Sequence, residues 1–100
     1  MGGERVVWYL RVEWFHDFRE EPVDIYSEVG DDGYEVRKIE VFRDGHLQYA
    51  DERHEAGETS LSGAPVGAVA EIAAQPGFRP HVISEQEFEE TWARAVAAEE

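Results

Sequence analysis

Histidine and carboxylate side chains recur in a short segment that interrupts the pattern of the first predicted strand. His16 and Asp17 are adjacent, and Glu20 and Glu21 follow them. A histidine whose ring is oriented by an aspartate can act as a general base. Adjacent side chains rarely point the same way, however, so we interpret this pair as fixing the loop or binding a partner rather than as catalytic.

A second pair of such side chains, Asp44 and His46, is expected to lie close to the first. The predicted pairing of Val23 with Phe42 places the loop Phe15–Pro22 at the same end of the sheet as the turn that contains Asp44. Two histidines with several carboxylates could bind a divalent transition metal. Their spacing matches no known ligand pattern, so we predict no metal and interpret this rim as an acidic docking surface for Arg or Lys of a partner.

Carboxylates also gather at the opposite end of the predicted sheet. The candidate binding residues there are Asp51, Glu52 and His54, in company with Asp31, Asp32 and Glu55. Charge runs of this kind are usually solvated faces, but they flank the longest predicted loop, and long loops are often functional.

Several classes of catalytic site are excluded by what the sequence lacks. There is no cysteine, which rules out disulfides, thiolate metal sites and a cysteine nucleophile. The glycines Gly30, Gly33 and Gly45 are turn residues rather than a phosphate cradle. No serine has a histidine and an aspartate at a recognisable spacing. We therefore predict no catalytic residue and no cofactor.

The net charge of the chain is strongly negative, and this limits the classes of molecule that the chain is expected to bind. The chain has 100 residues with 23 acidic and 9 basic side chains, for a net charge of −14. Such a surface repels nucleic acid and anionic membranes and attracts a basic protein. Solubility alone also accounts for an acidic surface. Only Lys38 among the basic residues is a lysine, which is typical of a GC-rich bacterial source.

The location follows from features that are absent. No apolar run approaches the roughly 20 residues that a membrane span needs. The first residues lack the basic-then-apolar layout of a signal peptide, so we expect a cytoplasmic protein. The length is typical of one domain, residues 1–100.

The elements that position these side chains begin with two hairpins. Asp32-Gly33 and Asp44-Gly45 each lie between runs rich in β-branched and aromatic residues, which predicts type I′ turns. The strands are expected over about 6–14, 23–29, 34–43 and the residues after Gly45. In this register Glu28 faces Arg37 and Tyr26 faces Ile39. The second hairpin is expected to pair Phe42 with Leu47 and Glu40 with Tyr49.

Two helices are predicted after the hairpins. Pro65 is suited to the first position of a short helix that ends at Gln75-Pro76-Gly77, and a short edge strand is expected at Thr59–Leu61. The extended segment Phe78–Ile83 contains Pro80, which favours an edge. Ser84 and Glu87 form a capping box at the start of the last helix. The buried stripe of that helix is expected to comprise Phe88, Trp92, Ala95 and Val96.

The assembled prediction is an α+β fold, an antiparallel meander of four or five strands followed by two helices packed on one sheet face. Trp8, Leu10, Val12 and Trp14 alternate toward the core. The opposite face then carries candidate interface residues, namely Tyr9, Arg11, Glu13 and Tyr26. That face is expected to form a homodimer contact or to be covered by a second layer of the chain itself.

The sequence also resembles a family of small bacterial proteins, common in actinobacteria, that is grouped as a domain of unknown function. The matching stretches include Arg11-Val12-Glu13-Trp14, His16-Asp17, Glu21-Pro22, Tyr26-Ser27-Glu28, Glu35-Val36-Arg37-Lys38, Phe42-Arg43-Asp44-Gly45, Tyr49-Ala50, Gly57-Glu58-Thr59-Ser60-Leu61, Glu71-Ile72, Ile83-Ser84, Phe88 and Trp92. The resemblance extends over nearly the whole chain. It implies one compact domain and brings no activity with it.

Three functions remain open at this point. The first is a protein-binding module that docks a basic partner, as an immunity protein, an inhibitor or a nucleic-acid mimic does. The second is a small enzyme or ligand-binding protein with a site near His16, Asp17 and His46. The third is a homo-oligomer that associates through the face containing Tyr9 and Tyr26.

Overall fold

The chain forms one antiparallel sheet with two helices against it, and this confirms the predicted α+β class. The computed structural model describes residues 7–55 and 59–99. In chain order the elements are β1 (Trp8–Trp14), β2 (Asp24–Val29), β3 (Glu35–Val41), β4 (Leu47–Asp51), β5 (His54–Glu55), α1 (Val69–Ala73), β6 (Phe78–Ile83) and α2 (Glu85–Glu99). The sheet order is β5-β4-β3-β2-β1-β6, so β6 and the two-residue β5 form the edges.

Both hairpin turns lie where Asp-Gly predicts them, but the turn type differs from the prediction. Gly33 and Gly45 have φ of 85° and 93°, and no described residue other than glycine has a positive φ. A type I′ turn needs positive φ at both central positions, so that prediction is wrong for both turns. Backbone hydrogen bonds join Gly30 to Tyr34 and Phe42 to His46 around three-residue loops. This is a type I turn followed by a left-handed glycine.

The extra loop residue has a different consequence in each hairpin. In the first, a bulge between Glu28 and Val29 absorbs it, so the predicted pairings of Glu28 with Arg37 and of Tyr26 with Ile39 are confirmed. Val29 then pairs with Glu35. A bulge inserts one residue into one strand and so restores the original register beyond it.

The second hairpin has no bulge, and its predicted register is wrong by one residue. Leu47 pairs with Val41 and Tyr49 pairs with Ile39. A shift of one residue moves every side chain of a strand to the other face. The observed register places Ile39 and Tyr49 together in the core cluster beneath α2.

Helix α2 covers the sheet face that carries Tyr9. The core cluster comprises Tyr9, Ile39, Tyr49, Phe88 and Ala95, with Val7, Tyr26, Leu47, Ile83, Trp92 and Val96 packed against it. The predicted buried stripe of α2 is confirmed. Its start is also confirmed, since the Glu87 amide donates a hydrogen bond of 3.1 Å to Ser84 Oγ. The amide of Phe88 donates to the Ser84 carbonyl.

An arginine of β3 links α2 to the sheet, and we call its surroundings the occupied arginine site. The Arg37 guanidinium lies 4.9 Å from the ring centroids of both Phe88 and Trp92. It donates to Glu28 at 2.6 Å and to both oxygens of Glu89 at 3.0 and 2.6 Å. Two aromatic rings and two carboxylates thus satisfy one cation.

The opposite face of the sheet is crossed by the segment that follows β5. The Thr59 hydroxyl, which is buried, donates to Glu40 at 2.6 Å and also contacts Gln48. Lys38 donates to the Ser60 carbonyl, and Glu35 accepts from the Ser62 amide. The edge strand predicted at Thr59–Leu61 is wrong, because the polar groups of this segment bond to side chains of the sheet rather than to a strand edge.

Helix α1 begins later than Pro65, at Val69, so the predicted start is wrong. The amide of Val66 donates a 2.6 Å hydrogen bond to the Gly33 carbonyl, which holds this part of the chain against the first turn. The Glu71 side chain accepts from the Ala68 amide and so satisfies the new helix start. α1 then lies against β6, where Pro80 stands on an edge strand as predicted.

Candidate functional site

The loop between β1 and β2 is held in place by His16. Its Nε2 lies 2.7 Å from the Pro22 carbonyl, and its Nδ1 accepts a 2.9 Å hydrogen bond from the Phe18 amide. Because Nδ1 accepts, the proton must lie on Nε2, which donates to Pro22. Both ring nitrogens are therefore engaged with the backbone. This geometry supports the interpretation of His16 as fixing the loop.

Aromatic rings surround this histidine and form a surface that the sequence analysis missed. Trp14 lies 4.1 Å from the His16 ring and 5.7 Å from the Phe78 ring, in the latter case stacked at 13°. Phe15 and Phe18 are 56% and 64% exposed. Phe18 belongs to the ring cluster, at 5.4 Å from His16, whereas the Phe15 ring lies against the Arg79 guanidinium. Exposed aromatic side chains of this kind are typical of a binding surface.

The chain keeps this end rigid through backbone contacts. The Phe15 amide donates to the Gly77 carbonyl at 2.8 Å, and the Trp14 amide donates to the Val23 carbonyl at 2.9 Å. Gly77 has a φ of 87°, and a Cβ atom there would lie 3.0 Å from the Phe15 carbonyl oxygen. Only glycine fits this close approach without strain. The backbone that carries Phe15 is thus anchored to the residue that precedes β6.

Carboxylates line a cleft beside these rings. The cleft has a volume of about 540 Å³ and is lined by Trp14, Phe18, Arg19, Glu20 and Glu21. We call it the loop-end cleft. The ring centroids of Trp14 and Phe18 are 6.4 Å apart. Glu20 and Glu21 are exposed.

The second predicted pair lies at the same end, as the topology indicated. Glu20, Arg43, Asp44 and His46 line one neighbouring cleft, and Arg43 donates to the His16 carbonyl at 2.7 Å. Hydrogen bonds from the backbone and the ring of His46 hold the pKa of Asp44 below its ordinary value. Asp44 is therefore already partnered by His46.

Metal binding gains no support from this arrangement. Within residues 7–55 and 59–99, no group of three histidine or carboxylate side chains is placed to hold a metal ion. Asp17 is exposed, and no hydrogen bond joins it to His16 in this part of the chain. The two residues therefore do not form a catalytic dyad.

The opposite end, which we call the turn end, consists of solvated turns. Asp32 accepts a hydrogen bond from the Tyr34 amide, and Asp51 accepts one from the Arg53 amide. Such bonds are what aspartate contributes to a turn. Glu52 is exposed. The side chain of predicted site residue His54 lies outside the described residues.

Two of the predicted interface residues, Tyr9 and Tyr26, lie in or against the core cluster beneath α2. Tyr9 is buried, donates to Glu28 and has its pKa raised to about 12 by burial and by Glu28. Tyr26 packs against the core cluster. Arg11 pairs with Asp24 at 2.9 Å and lies over the Tyr26 ring. The chain itself therefore covers Tyr9 and Tyr26, while Arg11 is half-buried.

Glu13, the remaining predicted interface residue, faces β6. His81 lies 2.8 Å from its carboxylate, and this hydrogen bond lowers the pKa of Glu13. The contact links β1 to the edge strand β6.

No helix in the described part of the chain is long and apolar enough to cross a membrane.

Sequence reasoning placed the histidines and carboxylates of this end but not its rings. Phe15 and Phe18 break the strand alternation, and that break by itself predicts only a loop. Two phenylalanines in a segment of otherwise charged residues were the available signal. Arg19, Arg43 and Arg79 also lie at this end, and the Arg79 guanidinium lies 5.2 Å from the Phe15 ring centroid.

Comparison with known proteins identifies a family without adding an activity. No curated protein matches the chain. No solved structure matches it. One family model, described as a domain of unknown function (DUF6881), matches residues 8–97. This match spans β1 through nearly all of α2, and the chain belongs to the DUF6881 family.

Proposed function

We propose that this chain is a protein-binding module that docks a basic partner through the end of the sheet bearing Phe15 and Phe18. The observation that carries the proposal is the combination, at one end of the sheet, of two exposed aromatic rings with exposed carboxylates. Aromatic side chains, phenylalanine included, are enriched at protein interfaces. Carboxylates around them select for positive charge and increase the association rate.

The charge of the whole chain supports a basic partner. A net charge of −14 attracts cations over about 8–10 Å at physiological salt. Many carboxylates elsewhere are already satisfied within the fold, such as Glu28 and Glu89 by Arg37. In the part of the chain that is described, Asp17, Glu20 and Glu21 form no ion pair. They are free to contact a partner.

We propose in particular that the chain is an immunity or inhibitor protein, which binds a basic partner and blocks it. Such a protein needs a rigid surface that covers a basic site, and it needs no catalytic group. We also propose that the chain acts in the cytoplasm of a bacterium of the actinobacterial type. The absence of cysteine and the predominance of arginine over lysine support that setting.

A small enzyme with a site at His16 is less well supported. Both nitrogens of that ring are bonded to the backbone, and Asp17 does not orient it. A general base needs a free nitrogen within reach of the substrate proton.

Affinity capture followed by measurement with purified proteins tests the proposal. The bait is the full chain, compared with the double variant Phe15→Ser/Phe18→Ser and with Asp31→Asn/Glu52→Gln. The latter removes two exposed carboxylates from the turn end. We expect a basic protein that binds the first and third baits and not the second.

The affinity of the purified pair should fall steeply as salt is raised, because charge attracts the partner. A partner whose affinity is unchanged in the Phe15→Ser/Phe18→Ser variant, or is lost in the turn-end variant, would contradict the proposal.

A further inference from the structure

Strand β6 forms one edge of the sheet, and the backbone bonds next to it show which of its residues face β1. The Phe15 amide donates to the Gly77 carbonyl, on the β6 side of β1. The Trp14 amide donates to the Val23 carbonyl, on the β2 side. Successive residues of a strand point their backbone groups to opposite sides, so every second residue of β6 bonds to β1.

The remaining residues of β6 turn their backbone groups away from the sheet. In the observed register the residues that bond to β1 are Arg79, His81 and Ile83. The residues that point outward are Phe78, Pro80 and Val82. Within residues 7–55 and 59–99, no strand lies on this outer side. An open edge of this kind is a template for pairing with a strand of another molecule.

The outer side of β6 offers few hydrogen-bond donors. The Phe78 amide already donates to the Gln75 carbonyl at 3.3 Å, and proline has no amide hydrogen. Among the three outward residues, Val82 therefore supplies the amide that is left, and its side chain is 64% exposed. Pro80 is the middle one of the three, so a pairing that spans this edge must include it.

Pro80 removes no hydrogen bond from the protein's own sheet. Its nitrogen points away from β1, so the ladder between β1 and β6 keeps all its donors. A proline at the inward position of His81 would remove one of these ladder bonds. The position of the proline therefore affects only what approaches β6 from outside.

We infer that Pro80 prevents β6 from pairing with the β6 strand of a second copy of this chain. Two identical edges can pair in antiparallel fashion about a two-fold axis. When all three outward residues take part, the two prolines lie opposite each other, and neither of the two hydrogen bonds at that position can form. The inference concerns a different part of the molecule from the proposed docking surface and does not depend on it.

Replacement of this proline tests the inference. Pro80→Val restores the missing amide and keeps a small apolar side chain. We expect it to self-associate at least about ten-fold more tightly than the unmodified chain, because two hydrogen bonds are regained in each dimer. Light scattering measures the mass over a series of concentrations in 1 M salt, where repulsion between two acidic chains is screened beyond about 3 Å. Pro65→Val removes an exposed proline outside β6 and is the matched control, which should remain a monomer.

A double variant separates edge pairing from a loss of folded structure. Pro80→Val/Val82→Pro moves the proline to another outward position, so β6 has the same number of outward amides as in the unmodified chain. We expect this variant to be folded by circular dichroism and to associate no more tightly than the unmodified chain. Association that persists in the double variant does not use the β6 edge and would overturn the inference. A Pro80→Val variant that is folded and monomeric at every concentration would also overturn it.

Hydrogen exchange of the unmodified chain, followed by NMR, tests whether the edge is open. The Val82 amide should exchange at least about ten-fold faster than the amides of His81 and Ile83, which are bonded to β1. Equal protection of the three amides would mean that the outer side of β6 is already covered or paired, and this too would contradict the role of Pro80.

Discussion

The occupied arginine site and the loop-end cleft contain the same types of side chain but differ in burial. One places Phe88, Trp92 and two glutamates around an arginine of the chain itself, and this joins α2 to the sheet. The other places Trp14 and Phe18 beside two glutamates at an exposed loop. In the first, the guanidinium of Arg37 lies against both rings, whereas in the second the ring of His16 lies 4.1 Å from Trp14 and 5.4 Å from Phe18. The first set lies beneath α2 and stabilises the fold, whereas the second lies at the surface, where Phe18 remains exposed.

The largest effect expected from this comparison concerns the two phenylalanines. Phe88 is fully buried, whereas Phe18 is 64% exposed. Phe88→Ala should lower the free energy of unfolding by about 3–5 kcal/mol, because it leaves a cavity in the core. Phe18→Ala should lower it by less than about 1 kcal/mol. Urea denaturation followed by circular dichroism measures both, and similar losses for the two variants would contradict the distinction.

Removing the arginine of the occupied arginine site should lower stability nearly as much. Arg37→Ala leaves Glu28 and Glu89 close together without their cation and should cost about 2–3 kcal/mol of unfolding free energy. This is less than for a fully buried pair, since Glu89 is half-exposed. Arg94→Ala, on the exposed side of α2, is the matched control and should change stability by less than about 0.5 kcal/mol.

The occupied arginine site should also make the stability of the fold depend on pH. The hydrogen bond from Arg37 lowers the pKa of Glu89. A carboxyl whose pKa is lowered in the folded state stabilises the fold above its unfolded pKa, and the contribution is lost as pH falls through the folded value. Thermal unfolding between pH 7 and pH 3 should therefore show a smaller decrease in stability for Glu89→Gln than for the unmodified chain. Parallel curves would show that the pair contributes nothing.

Substitution of the two glutamates of the loop-end cleft should have the smallest effect on stability. Glu20→Gln/Glu21→Gln removes two exposed charges from an acidic chain that is already self-repelling, so the melting temperature should remain the same or rise slightly. Differential scanning calorimetry measures this change. A clear fall would mean that these carboxylates stabilise the loop and are not reserved for a partner.

The hairpins show which parts of the fold the sequence could predict. Asp-Gly located both turns, because glycine is needed where φ is positive, at Gly33 and Gly45. The Asp-Gly dipeptide could not predict the turn type, since a loop of two residues and a loop of three residues can both contain it. The bulge after Glu28 is not visible in the local sequence pattern. Because the first hairpin has this bulge, its predicted register beyond the bulge is right, and because the second hairpin has none, its predicted register is wrong by one residue.

The candidate site was predictable in its polar part only. Strand direction was enough to bring His16 and Asp44 to one end of the sheet. Local patterning could not show that Phe15 and Phe18 remain exposed, because a phenylalanine in a loop can equally fold back on a core. Nor could it show that α2 returns over Tyr9 and Tyr26 and packs against both.

Hydrogen–deuterium exchange on the complex with the captured basic partner tests the central claim most directly. Backbone amides of residues 15–22 should exchange more slowly in the complex than in the free chain, while those of the turn 30–34 should exchange at an unchanged rate. Protection confined to the turn 30–34 and the β4–β5 turn, with residues 15–22 exchanging as in the free chain, would contradict the account.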